Sequence, residues 1–324
     1  YQGRFPATDW PLTGLPAEWF SPDRLEYYGG INLMKGGMIA ADRVTTVSPT
    51  YAREISTPEF GFGLEGVIGG LPHPVEGILN GIDTEVWNPA DDPLVESTYD
   101  VSDLSGKAVD KRALQAEFDL PADPSAPLFG FVSRLVDQKG FGELCGPTHG
   151  SLWSICDDLD LQFVILGTGE AWCEDELSVL ADKLPNLSVA LEYNDPLAHL
   201  IEAGADFFLM PSVYEPCGLS QMYSLRYGTL PIVRRTGGLA DTVSNYDEKI
   251  GEGTGFVFDD LTPEAIANSV GWAVWAWYNR PDEISAMRRR AMQKRFSWET
   301  SAARYAELFQ WAIDRRLGRT PRTW

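Results

Sequence analysis

The sequence predicts an α/β protein of two domains, the second built on a doubly wound parallel sheet. Three observations point there. From residue 127 onward, short apolar runs alternate with helical stretches over brief connections, the pattern of parallel strands joined by crossover helices. Two glycine-bearing turns, Cys217-Gly218-Leu219 and Thr236-Gly237-Gly238, each link a strand to a helix in that region and let backbone amides approach a ligand. The length, 324 residues, also exceeds what one core usually holds, about 250–300 residues.

Taken in order, residues 1–25 are rich in Pro, Trp and Phe without a clear period and read as loop and short helix. Residues 43–47 (RVTTV) are β-branched and read as a short strand. Ser48 is placed to cap a helix whose first turns are 51–55. A glycine-rich loop over 57–74 leads to a short strand at 77–79, which ends in the turn Asn80-Gly81-Ile82-Asp83. The residues from Trp87 to Pro127 are polar and Pro-rich, with one helical piece over 107–118, so the domain boundary is placed there. The expected division is a first domain over 1–90, a linker with its helix over 91–126, the second domain over 127–296 and a terminal helix over 297–324. Strands are expected at 128–133, 163–166, 187–191, 207–210, 231–234 and 255–258, and helices at 174–183, 196–203, 219–227 and 263–278. A last helix, 298–316, carries Tyr305, Leu308, Phe309 and Ala312 at helical spacing, which predicts one buried stripe.

Composition narrows the function. A formal charge of −21 argues against a nucleic-acid partner, since phosphate contacts need clustered Lys and Arg. No run approaches about 18 consecutive apolar residues, so no membrane-spanning helix is expected. Four cysteines (Cys145, Cys156, Cys173, Cys217) fall at no metal-ligand spacing and are too few for a disulfide framework, which suits a reducing cytosol or plastid stroma. The first residues show no signal-peptide pattern. None of the histidines, His73, His149 and His199, neighbours a Ser or Cys in a nucleophile motif. No Asp-x-Asp stands at a strand end, so neither a metal nor an organic cofactor is indicated.

Three constellations could carry chemistry. Arg134 and Lys139 follow the first strand of the second domain, where ligands of open parallel sheets bind. Two cations there could neutralise a departing diphosphate, although such a pair taken alone reads as solvated surface. Glu215 opens Glu-Pro-Cys-Gly-Leu, whose turn precedes a helix N-terminus suited to phosphate; alone it reads as a turn residue paired to a local amide. Cys217 reads either as a helix-start thiol or as close packing. Gly167-Thr168-Gly169 lacks the third glycine of a dinucleotide fingerprint. Tyr193 fits both base stacking and a core position.

The phrases SPTYAREI, NGID, SRLVDQKG and EPCGL, followed by YGTLPIVRRTGGLADTV, closely resemble the bacterial glycogen synthases and plant starch synthases across essentially the whole chain. The resemblance implies the GT-B arrangement of two Rossmann-like domains facing a cleft, with residues 30–41 a helix and the terminal segment crossing back to the first domain. It also implies that the N-terminal domain is incomplete here, because the family's catalytic histidine and Lys-Thr-Gly-Gly loop would lie upstream of Tyr1. The implied activity is retaining transfer of glucose from ADP-glucose to an α-1,4-glucan, releasing ADP, in the cytoplasm of a bacterium or a plastid stroma. The roles implied are Arg134 and Lys139 on the diphosphate, Glu215 on the glucose, and Cys217, Gly218 and Leu219 with Thr236, Gly237 and Gly238 around the donor phosphates. Gly167 and Tyr193 would line the nucleotide side, and Asn80 the acceptor side. Many relatives carry a second Glu eight positions after the first; Tyr223 stands there, as in the glycogen and starch synthase branch. The rivals are a related transferase with another donor and a non-catalytic glucan- or nucleotide-binding fragment.

Overall fold

The computed structural model describes residues 1–146 and 150–319; His149 and the last five positions of the terminal segment lie outside them. The chain divides into two compact units, one of residues 1–79 together with the segment from Glu299, the other Asn80–Trp298.

The smaller unit opens with loop and short helix as expected, 3-10 turns over Ala7–Thr13 and Ala17–Trp19, and adds a small sheet. Strands β1 (Arg4–Pro6), β2 (Glu26–Tyr27) and β3 (Gly30–Asn32) form an antiparallel sheet in the order β1-β3-β2. These strands are two or three residues long and β1 is wholly exposed, so no alternation betrays them. Helix α1 (Leu33–Ala40) starts later than the expected 30–41 because the Asn32 side chain caps it, accepting the Lys35 amide at 2.9 Å. Strand β4 (Thr45–Thr46) leads to α2 (Pro49–Glu54), capped by Ser48 as expected, its hydroxyl accepting the Tyr51 amide at 2.9 Å. After α3 (Glu65–Gly69), β5 (Glu76–Gly77) pairs in parallel with β4.

In the larger unit, α4 (Ser105–Glu117) precedes β6 (Leu128–Val132), α5 (Phe141–Cys145), α6 (Leu152–Asp158), β7 (Gln162–Leu166), α7 (Ala171–Lys183) and β8 (Leu187–Ala190). Then come α8 (Asp195–Gly204), β9 (Phe207–Met210), α9 (Ser220–Tyr227), β10 (Leu230–Arg234), α10 (Gly237–Thr242), β11 (Phe256–Phe258), α11 (Pro263–Asn279) and α12 (Pro281–Met292). All six expected strands are present and form one parallel sheet in the order β11-β10-β9-β6-β7-β8. Both faces are covered by helices, so the strands read as continuous apolar runs. Phe129, Phe163 and Phe207 of neighbouring strands stack through the middle, with centroids 5.8 and 5.0 Å from that of Phe129. The chain leaves β6 toward β8 on one side and returns to β9 on the other. The β6–β9 junction is therefore the topological switch point, where open sheets bind ligands.

Two expectations need correction. The polar stretch 91–126 is structure within the larger unit, and several of its polar side chains are buried. Lys107 Nζ donates to the Ala203 carbonyl (2.8 Å) and to Thr229 Oγ1 (2.6 Å), and Lys111 pairs with Asp206 at 2.7 Å. The Tyr99 hydroxyl donates to the Tyr227 carbonyl at 2.8 Å. Helix α13 (Trp298–Arg316) has the expected bounds but not the expected buried stripe. Tyr305, Leu308 and Ala312 are half-buried, and Phe309 is 60% exposed. Polar anchors hold it instead: Ser301 Oγ on the Leu79 carbonyl, Arg304 on Glu76 at 2.8 Å, and Trp311 with Arg43 4.0 Å from its ring centroid.

Candidate functional site

Two turns leave the switch point. After β6, Ser133 and Arg134 lead into a short 3-10 helix, Asp137–Lys139, closed by Gly140. After β9, Pro211 to Gly218 form the second turn. They are fastened to each other at Gln138: the Val213 amide donates to its carbonyl at 2.9 Å, and its Nε2 donates to the Tyr214 carbonyl at 3.2 Å. Gly140 has φ +83°, and a Cβ there would lie 2.1 Å from the Pro211 carbonyl oxygen. Only glycine permits both the left-handed backbone and that approach.

This fastening brings Lys139 onto Glu215. The Lys139 ammonium is 2.5 Å from Glu215 Oε2, and the Ser212 hydroxyl donates to the same oxygen at 3.0 Å. Glu215 and Ser212 are buried, while Lys139 is partly open to solvent. The reading of Glu215 as a turn residue on a local amide therefore gives way to a carboxylate held by a lysine and a serine. Arg134 is exposed, with Nη2 3.4 Å from Gln138 Oε1.

Beyond Glu215, the backbone reverses at Gly218 (φ +69°) and enters α9. Among the described residues, the amides of Gly218 and Leu219 have no acceptor in the protein. The amides of the neighbouring turn are engaged: Thr236 donates to the Arg234 carbonyl at 2.9 Å and Gly238 to that of Glu215 at 3.0 Å. Gly237 and Gly238 serve close approach, since a Cβ would lie 1.9 Å from the Glu215 carbonyl oxygen at the first and 1.8 Å from that of Cys217 at the second. Burial pushes the Cys217 thiol up from its ordinary value, and the Asn80 amide donates to it. Cys217 is thus the packing residue of its two alternatives, and it brings Asn80 to this turn.

On the other flank of β6, Gly167 brings the β7 turn against the first, where a Cβ would lie 1.9 Å from the Ser133 carbonyl oxygen. A cavity of about 240 Å³ opens there, lined by Arg134, Gly167, Glu192, Tyr193, Asn194 and Ala198 among others. Tyr193 is 90% exposed, which removes the core alternative. Tyr223 is committed elsewhere: it stacks on Trp87 at 3.8 Å, and Trp87 stacks on His199 at 3.8 Å. Among the described residues, no group of three His, Cys, Asp or Glu side chains could hold a metal ion, and no helix is long and apolar enough to cross a membrane. Sequence reasoning missed Ser212 and Gln221; the signal for both was position, a polar residue on either side of Glu-Pro-Cys-Gly-Leu.

Comparison with known proteins identifies the family. Residues 1–69 match the family model of the starch synthase catalytic domain, and residues 114–286 that of the glycosyl transferases group 1. The chain is 52% identical over 316 residues to a glycogen synthase of Treponema denticola, covering 98% of this chain and 64% of that protein. It is 50% identical over 319 residues to glycogen synthase 1 of Geobacter metallireducens, covering 98% and 62%. The chain thus spans a little under two thirds of the length of these relatives. Its structure is similar to the catalytic domain of starch synthase IV from Arabidopsis thaliana, solved with ADP and acarbose, at TM-score 0.86 and 34% identity over 95% of this chain and 64% of that one. A sucrose-phosphate synthase from Thermosynechococcus elongatus, at TM-score 0.57 and 20% identity over 86% and 60%, shares the fold.

Proposed function

The chain belongs to the glycosyl transferases group 1, in the branch of bacterial glycogen synthases and plant starch synthases, and we propose that it binds ADP-glucose and transfers glucose, with retention, to the non-reducing 4-hydroxyl of an α-1,4-glucan. The observation that carries this reading is the gathering of Lys139, Glu215 and the amides of Gly218 and Leu219, which have no acceptor among the described residues, in the turns at the β6–β9 switch point. The amides and the positive end of α9 suit the phosphates, and Lys139 with Arg134 supplies charge to the leaving diphosphate. In this reading Tyr193, which lines one cavity with Arg134, takes the base, and Asn80 faces the acceptor side. Thr236, Gly237 and Gly238 hold the Glu215 turn in place rather than offering further amides. The ADP and acarbose of the starch synthase IV structure support the same ligand classes here.

A carboxylate with one oxygen engaged by both an ammonium and a hydroxyl is suited to orienting a sugar, not to attacking it. In the proposed step the bond from glucose C1 to the phosphate oxygen breaks, and its electron pair leaves with ADP. The acceptor hydroxyl bonds to C1 from the same face, and its proton passes to the departing phosphate oxygen. A cytoplasmic setting accords with four free, buried cysteines.

The test is incorporation of label from ADP-[14C]glucose into glycogen by this chain and by a version extended to the length of its relatives, each beside a Glu215→Ala control, with UDP-glucose run in parallel. Transfer that the control abolishes supports the proposal. ADP binding without transfer by either version would replace it with a nucleotide-binding module.

A further inference from the structure

Under the turn that follows Glu215 lies a side chain for which the proposed chemistry has no use. Gln221 is fully buried in the first turn of α9. Its Nε2 lies 3.0 Å from the Cys217 carbonyl oxygen, 3.0 Å from that of Gly218 and 3.2 Å from Thr242 Oγ1. Two carbonyls on one end of the carboxamide fix that end as the nitrogen, since the flipped group would set oxygen against oxygen. Its Oε1 is buried with no hydrogen-bond partner. What the site requires of this side chain is thus its donor end.

A trans peptide is planar and points its C=O and N–H in opposite directions. The Cys217 carbonyl shares a peptide with the Gly218 amide, and the Gly218 carbonyl shares one with the Leu219 amide. Drawing both carbonyls inward onto Gln221 therefore turns both N–H groups outward. Gly218 is left-handed and Leu219 right-handed, an alternation that gathers successive amides into one anion-binding concavity. Neither amide has an acceptor in the protein among the described residues. Thr242 passes the constraint to the neighbouring turn, accepting from Gln221 and donating to the Gly238 carbonyl at 2.7 Å.

We propose that Gln221 is the positioning residue of the diphosphate site: by holding the Cys217 and Gly218 carbonyls it aims the Gly218 and Leu219 amides at the nucleotide's diphosphate. The proposal rests on the nucleotide-sugar reading above.

The test titrates this chain with ADP and, separately, with adenosine, following 15N-labelled backbone amides by NMR. In the wild type, ADP is expected to shift the Gly218 and Leu219 amides strongly, and adenosine to leave them in place. In Gln221→Met, ADP affinity is expected to fall by about tenfold or more, as two charge-assisted hydrogen bonds lose their aim, while adenosine affinity stays within about twofold. Thr242→Val, which leaves both carbonyls on Gln221, is expected to lose less. If the wild type binds ADP without moving these two amides, or Gln221→Met binds ADP like the wild type, the role of Gln221 falls and the nucleotide-sugar reading stands. Parallel losses for ADP and adenosine reduce Gln221 to a structural residue. A wild type that binds no ADP overturns both.

Discussion

Replacing Lys139 by Met isolates the pair at the centre of the site. The Lys139 and Glu215 side chains are 18% and 9% exposed and their charged atoms are 2.5 Å apart. Removing one member of a buried pair costs about 3–5 kcal/mol, because the other charge is left desolvated without its partner. Two features bring Lys139→Met below that range. Water already reaches Lys139, and Glu215 keeps the Ser212 hydroxyl at 3.0 Å. The expected loss is about 2–3 kcal/mol. Glu215→Gln should cost less, about 1 kcal/mol, since the freed ammonium can turn to solvent. The double variant should be more stable than the two single losses predict, with a coupling of about 1–2 kcal/mol. Urea unfolding of the four proteins at one pH, without ligand, measures the cycle. Losses that add to within about 0.5 kcal/mol would refute the reasoning, by showing that the pair contributes no interaction energy in the folded chain.

The contact between the two glycine turns predicts that Gly238→Ala is severe. A methyl 1.8 Å from the Cys217 carbonyl oxygen forces the turns apart, and a loss of about 3 kcal/mol or more is expected in urea unfolding. Tyr193→Ala should do the reverse: stability unchanged within about 0.5 kcal/mol for so exposed a residue, with ADP bound severalfold more weakly in calorimetry. Burial raises the Glu202 carboxyl to about 8. Between its ordinary value and about 8 the folded chain holds a proton that the unfolded chain has released, so this group's stabilisation is present in acid and lost as pH rises through that window. Glu202→Gln should therefore flatten the fall in urea midpoint between pH 5 and 8, and an unchanged slope would exclude Glu202 as its source.

The sheet was legible because its strands are buried on both faces: Phe207–Met210 is apolar throughout, and its bounds emerge as read. The turns were legible for a related reason, since Gly140 and Gly238 stand where backbones touch and Gly218 where the chain reverses through a left-handed residue. Polarity misled where it was buried. Lys107 and Lys111 resemble linker residues in sequence, and only the fold supplies the carbonyls, Thr229 and Asp206 that receive them. The spacing of Tyr305, Leu308 and Phe309 promised a buried face, but periodicity cannot say whether anything packs on it. Ser212 and Gln221 escaped notice because each acts on a backbone turn or a carboxylate, relations that a residue's type does not announce.

The pairing of β6 with β9 has a consequence for how the chain acquires its site. These two strands are neighbours in the sheet while β7, β8 and the helices between them intervene in sequence. Closing so long a loop is slow, and β7 can pair with β6 sooner. The Lys139–Glu215 contact, which joins the turns after these two strands, therefore comes into being only when that seam closes. A nucleotide that recognises that contact recognises no partly folded form, and it stabilises the finished chain alone, by about 2.7 kcal/mol at a hundred times its dissociation constant. A bound nucleotide would thus favour the closed seam over every state in which β6 and β9 stand apart.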